Sequence, residues 1–157
     1  MTRIPPPVLA LSAGLVQRAL TRDVQPPTAA RAAAAGATAL ASFALAGASA
    51  GMFRRSGTTF DPFDPAQASV LVRTGANSIS RNPMYVGMAG LLVSSAIRRG
   101  SWAALVPVVG FTMVIDRWQI ASEESALLAN FGADYEAYRA VVPRWLGRRS
   151  VAFRSKV

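Results

Sequence analysis

The sequence predicts an all-α fold, an integral membrane helical bundle of about four transmembrane helices with short cytoplasmic helices after them. Three observations carry that expectation. Hydrophobic residues make up 52% of the 157 and charged residues only 16%, against about a quarter charged in soluble proteins. The apolar residues fall into four stretches separated by arginine-bearing connections, the pattern that spanning helices leave in a sequence. Much of the apolar content is Ala and Gly, and small residues let membrane helices pack closely. The length suits a single domain over 1–157, with 145–157 a basic, flexible tail.

The first stretch, Ile4 to Gln17, is uncharged and opens with Pro5-Pro6-Pro7, residues suited to a helix start. It is short for a span and reaches Leu20 if Arg18 snorkels to the interface. A secretory signal is the competing reading, but only Arg3 precedes the stretch and no clear cleavage site follows. The second stretch, Ala32 to Phe53, is uncharged throughout and is the clearest span. It contains Gly47-Ala48-Ser49-Ala50-Gly51, a GxxxG spacing read as packing within the chain rather than as dimerisation. Arg54 to Arg81 is a polar connection. Its Thr58 to Pro65 portion cannot be regular helix, because Pro62, Pro65 and the aspartates before them break it. Phe60 and Phe63 make this portion a folded lid that closes over a substrate and excludes water.

Pro83 to Ile97 is the third apolar stretch, Arg98-Arg99-Gly100-Ser101 a tight turn, and Trp102 to Ile115 the fourth. Each is marginal in length, which fits a tilted helical hairpin, with Trp102 and Trp118 as interfacial anchors. From Asp116 the fourth helix leaves the membrane and continues. Ile120, Leu127 and Leu128 are expected on its apolar face and Glu123 and Glu124 on the other. Gly132 ends it, Asp134 caps a short further helix, Tyr135, Tyr138 and Val142 share a face of that helix, and Pro143 closes it.

The chain has no cysteine and no histidine, which excludes disulfides, thiolate ligands, His-based triads and a His general base. Glu123-Glu124 is the only close acidic pair, so no metal site is expected. The formal charge is +9. Nucleic acid is one reading of such a charge. The arginines instead lie between hydrophobic stretches, which points to membrane topology and anionic headgroups, with no nucleic-acid partner. With four crossings, one side holds twelve basic residues and the other five, Arg18, Arg22, Arg31, Arg98 and Arg99. The positive-inside rule then places both termini and the polar motifs in the cytoplasm, in keeping with a bacterial inner membrane.

Two polar blocks stand out against this background. Arg81 and Asn82 directly precede Pro83, the expected first residue of the third helix. Its free N–H groups and positive dipole end form an anion site, to which Arg81 adds a planar donor for a carboxylate. Tyr85 lies on the first turn. The alternative is that Arg81 snorkels and Tyr85 is an interface aromatic. Glu123 and Glu124 can accept hydrogen bonds from an amine or a ribose diol and can stabilise a cation. The alternative there is a solvated face, or pairing with Arg81 or Arg117.

The blocks in order read Gly75-Ala76-Asn77-Ser78-Ile79-Ser80-Arg81-Asn82-Pro83-Met84-Tyr85, then an apolar hairpin, then Glu123-Glu124-Ser125-Ala126-Leu127 through Phe131-Gly132, Tyr135, Tyr138, Val142 and Arg144. With Phe53 to Thr59 and Pro62 upstream, the chain from Pro5 onward resembles the bacterial branch of the isoprenylcysteine carboxyl methyltransferase family. That family is grouped with phospholipid methyltransferases, small integral membrane enzymes that use S-adenosylmethionine. The resemblance implies a cofactor site formed by Arg81, Asn82, Pro83, Tyr85, Glu123 and Glu124, with Tyr135 and Tyr138 walling the pocket. Two departures stand out. Asn82 replaces a histidine, and Ala76-Asn77-Ser78 replaces a Pro-aromatic-Arg turn.

The expected activity is methyl transfer to a lipophilic carboxylate, phenol or amine that enters from the bilayer. Glu123 and Glu124 are the candidate catalytic groups, because an amine acceptor would have to lose a proton. Two other classes stay open: a non-enzymatic packing or transport protein, and a nicotinamide-dependent reductase on a related fold.

Overall fold

The computed structural model describes residues 4–55 and 70–152. The expected Thr58 to Pro65 lid and the last five residues of the tail lie outside the described residues. Those described are helical with turns between, and no strand occurs among them.

Helix α1 spans Pro6–Leu20, with proline at its first positions as the triple proline predicts. Helix α2 spans Ala29–Arg55. Helix α3 spans Pro83–Arg99 and stops at Gly100, whose φ of 63° is a left-handed cap that glycine adopts without a side-chain clash. A 3-10 turn at Trp102–Ala104 leads into α4, Leu105–Val114. A π-helical turn at Ile115–Ile120 then joins α4 to α5, Ala121–Val141. Gly132 (φ 47°, ψ −121°) kinks α5, at the glycine expected to end that helix. A short α6, Arg148–Ala152, follows.

Two helical stretches are long and apolar enough to cross a membrane, Ala29–Met52 and the continuous Trp102–Val141 rod. At 1.5 Å per residue α1 and α3 run about 22 and 25 Å, short of a hydrocarbon core of about 30 Å. The four rods nevertheless run between the same two ends. At one end, Ser49 of α2 lies beside Asn77, and Tyr85 of α3 beside Glu123 of α5. At the other, Thr21 after α1 meets Arg99 of α3, and Arg31 of α2 lies over Gly100. Trp102 and Trp118, the expected interface anchors, are both exposed.

The closest crossing is α2 on α3. A Cβ on Gly87 would stand 2.8 Å from both Ala46 Cβ and the Ser42 carbonyl, and one on Gly90 would clash with Ser42 Oγ. Ser94 of α3 extends the seam by donating to the Ala35 carbonyl at 2.7 Å. The small residues that matter for packing are therefore on α3. The expectation for Gly47 and Gly51 does not hold among the described residues: a Cβ at either would meet none of their atoms within 4 Å. A GxxxG spacing fixes a face, and here α2 turns its Ser42/Ala46 face to the partner.

A core cluster of Tyr85, Leu92, Val108, Phe111, Ile115 and Ile120 joins α3 to the long rod, with Leu9, Ala10 and Ala13 of α1 against it. Gln17 of α1, fully buried, donates to the carbonyls of Leu92 (2.9 Å) and Ala104 (2.8 Å), which ties α1 to the far end of the bundle.

Candidate functional site

The end of the bundle that holds the candidate residues is organised by a short strap. Asn82 is the N-cap of α3, but its side chain makes no capping bond. Its amide instead donates to the Arg144 carbonyl at 3.1 Å, as does Ser80 Oγ at 2.9 Å. The Arg81 N–H donates to the Pro143 carbonyl at 2.9 Å. Residues 80–82 are thus pinned to the segment after α5, and this directs the Arg81 side chain inward.

The Arg81 guanidinium donates to the Val142 carbonyl (2.8 Å), the Arg139 carbonyl (3.3 Å) and Glu124 Oε1 (2.6 Å). The two carbonyls lie at the C-terminal end of α5, where free C=O groups and the negative dipole end favour a cation. Buried Arg81 Nε has no hydrogen-bond partner among the described residues.

Glu124 also accepts from Arg144, from Nη2 at 2.5 Å and Nε at 3.2 Å. Arg144 in turn reaches Asp116 Oδ1 at 3.1 Å, which also accepts from Trp145 Nε1 at 2.8 Å. The hydrogen bonds to Glu124 hold the Arg144 guanidinium above the ordinary arginine range, so it stays charged at any working pH. Two arginines and two carboxylates therefore form one chain, Arg81–Glu124–Arg144–Asp116.

Glu123 lies one residue away in a different environment. Its Oε1 accepts from the Tyr85 hydroxyl at 2.5 Å and the Gln119 amide at 2.7 Å. The π-helical turn at Ile115–Ile120 sits directly before this pair and carries Asp116 and Gln119. The extra residue of a π turn shifts the register of the helix after it, a device common at functional sites.

Glu123 and Glu124 are both buried, each 8% exposed. This corrects the expectation that they face away from the apolar side of α5. Ile120, Glu124 and Leu127 are spaced four and three apart, so they share one inward stripe.

Tyr135 and Tyr138 are buried with Val142, their ring centroids 6.1 Å apart, and Leu71, Leu127, Leu128 and Phe131 pack around them. Tyr135 is within electrostatic reach of Glu124 and Arg81. The Tyr138 hydroxyl donates to the Asn77 carbonyl at 2.6 Å, and Ser49 Oγ lies 3.3 Å from Asn77 Oδ1. The Gly75–Ser78 turn persists despite its Ala76-Asn77-Ser78 composition, because Gly75 supplies a φ of 60° and Asn77 is gripped from α2 and α5.

The structure thus brings together Arg81, Tyr85, Glu123 and Glu124, with Tyr135 beside them. Asn82 and Pro83 act through the strap and the helix start. Sequence reasoning did not place Asp116, Gln119, Arg144 or Trp145 in the site. Arg144 stood in the motif string, and Asp116 was the lone acid within a long apolar stretch. Part of the expected flexible tail is anchored: besides Trp145, Ser150 donates to the Ile79 carbonyl at 2.6 Å.

A family model described as phospholipid methyltransferase matches residues 30–134, well over half of the chain. An uncharacterised protein of Haemophilus influenzae is 36% identical over 63 residues, which cover 40% of this chain and all of that protein. No solved structure matches the chain.

Proposed function

The chain belongs to the phospholipid methyltransferase family, and on that premise we propose that it is an integral membrane methyltransferase that uses S-adenosylmethionine. Its acceptor is a lipophilic carboxylate, phenol or amine that enters from the bilayer. The observation that carries this reading is the meeting of the two sequence blocks. Tyr85 binds Glu123 and Arg81 binds Glu124 at one end of the bundle.

The donor set fits the cofactor. Glu123 offers a carboxylate for a cation or a ribose diol, and the buried Arg81 Nε–H has no acceptor among the described residues. Bound there, S-adenosylmethionine supplies a methyl group already activated by positively charged sulfur. Glu123, Tyr85, Arg81 and Tyr135 would hold it.

The chain's residues then have separate tasks. Glu124 is neutralised by two arginines and fixes the geometry, which makes it a poor base. Glu123, which accepts from the Tyr85 hydroxyl and the Gln119 amide, is the group to receive a proton from an amine acceptor. A carboxylate or phenolate acceptor needs no base, and alignment alone provides the rate. The crowd of buried apolar and aromatic groups around Tyr85 keeps water out. All four rods cross the membrane in this reading, with both termini and the site on the cytoplasmic side.

Calorimetry on the purified protein tests the reading. Binding of S-adenosylmethionine and of its demethylated product, with no binding of a nicotinamide cofactor, is the expected result. Binding of the nicotinamide cofactor alone would point to a reductase, and binding of none to a non-enzymatic role.

A further inference from the structure

A second polar feature lies at the opposite end of the bundle, about 25 Å away along the length of α3. A cavity of about 550 Å³ opens there between the end of α1, the α1–α2 connection and the last turns of α3. Three arginines line it, Arg18 from α1 and Arg98 and Arg99 from α3, together with Gln25, Ser94 and Ser95. Among the described residues no ion pair includes any of the three. Arg99 is held in place, donating to Thr21 Oγ1 at 2.9 Å and to Ser95 Oγ at 3.3 Å.

Two of these arginines stand in the last turn of α3, where they also complement the helix dipole. Arg18 stands likewise in the last turn of α1; the dipoles do not account for the convergence of all three on one cavity from two helices. Arg22 and Arg31 add further positive charge near this end, and Asp23 is the one acidic residue in the α1–α2 connection. The remaining lining, Val24, Pro26, Pro27 and Leu91, is apolar. The cavity is therefore an amphiphilic one, with guanidinium groups beside a greasy wall.

We propose that this cavity binds a phosphate-bearing anion, with the phosphodiester of an anionic phospholipid headgroup as its source in the membrane. Planar guanidinium groups donate in pairs to phosphate oxygens, which suits them better than a single point charge. Ser95 and Gln25 supply further hydrogen-bonding groups, and the apolar wall takes the glycerol and first acyl carbons. Nothing in this assignment uses the Arg81–Glu124 end, so the site is separate from methyl transfer.

The test measures thermal stabilisation of the full chain in a neutral detergent on adding phosphatidylglycerol, phosphatidylcholine or inorganic phosphate. Phosphatidylglycerol is expected to raise the unfolding midpoint of the wild type well above the effect of phosphatidylcholine. Arg18→Gln/Arg98→Gln removes two exposed guanidinium groups that make no hydrogen bond among the described residues, and should weaken phosphatidylglycerol binding about tenfold or more per group. Val24→Trp fills the cavity at constant charge and should weaken binding as well. Arg54→Gln/Arg55→Gln, a matched loss of charge at the other end, should leave binding unchanged. An equal response of wild type and Arg18→Gln/Arg98→Gln, or of the two lipids, would overturn the site. A response to inorganic phosphate that the double variant also loses would support the site and assign its ligand to the aqueous phase. Cofactor binding measured in parallel should be the same in all variants, so this proposal and the methyltransferase reading can fail independently.

Discussion

Arg81 and Glu124, 43 positions apart in the chain, meet at 2.6 Å with both side chains about nine-tenths buried. A buried pair of this kind is weak evidence of net stability, and here Arg144 shares Glu124 with Arg81. Glu124 keeps Arg144, so Arg81→Ala should destabilise the protein by about 1.5–3 kcal/mol, through the lost charged hydrogen bond and the uncapped end of α5. Denaturation in detergent, followed by helical circular dichroism, measures it. A loss below about 1 kcal/mol would mean that the pair is solvated.

Glu123 is the second probe of function, where the Tyr85 hydroxyl and the Gln119 amide donate to its carboxylate. Glu123→Gln keeps the shape and should lose cofactor affinity by about 1.5–3 kcal/mol, the scale of a hydrogen bond to a charged group. Tyr85→Phe should act in the same direction and by less, since it removes only one of the donors that orient Glu123. Isothermal titration with S-adenosylmethionine compares them, and unchanged affinity in both would remove Glu123 from the site.

The α2–α3 seam makes a separate prediction. Gly90→Val has no room against Ser42, and Gly87→Val none against Ala46. Each should cost about 1–3 kcal/mol or more by overpacking. Gly47→Val and Gly51→Val enter open space and should stay within about 0.5 kcal/mol of the wild type. Unfolding midpoints of the four variants decide the matter, and the reverse ranking would mean that α2 is rotated.

Topology can be checked independently. The proposed reading has both chain ends on the cytoplasmic face, the side that the positive-inside rule expects from the twelve-to-five distribution of basic residues. Reporters active only in the cytoplasm, fused to either end, should both be active. Activity at one end alone would mean an odd number of crossings.

Much of this fold was legible because its punctuation is local. Pro6, Pro83, Gly100 and Gly132 mark helix starts, a stop and a kink through their own backbone preferences. Apolar runs set the rods. What could not be read depends on facing. The glycine spacing on α2 could not say which face meets α3. The inward stripe of Ile120, Glu124 and Leu127 was hidden by treating carboxylates as outward by default. The π turn at Ile115–Ile120 leaves no mark in composition. Asp116, Gln119, Arg144 and Trp145 join the site only through contacts 4 to 29 residues apart in sequence, which periodicity does not report.

The central claim is methyl transfer from S-adenosylmethionine to a lipophilic acceptor at the Tyr85–Glu123 end. The most direct measurement is transfer of a labelled methyl group to matched carboxylate, phenol and amine acceptors of graded alkyl length, in liposomes holding the purified protein. The account predicts label on long-chain members of one acceptor class, and loss of that transfer in Glu123→Gln protein whose unfolding midpoint is unchanged. Equal or greater transfer to the short, water-soluble members, or no transfer to any acceptor by folded wild-type protein, would contradict it.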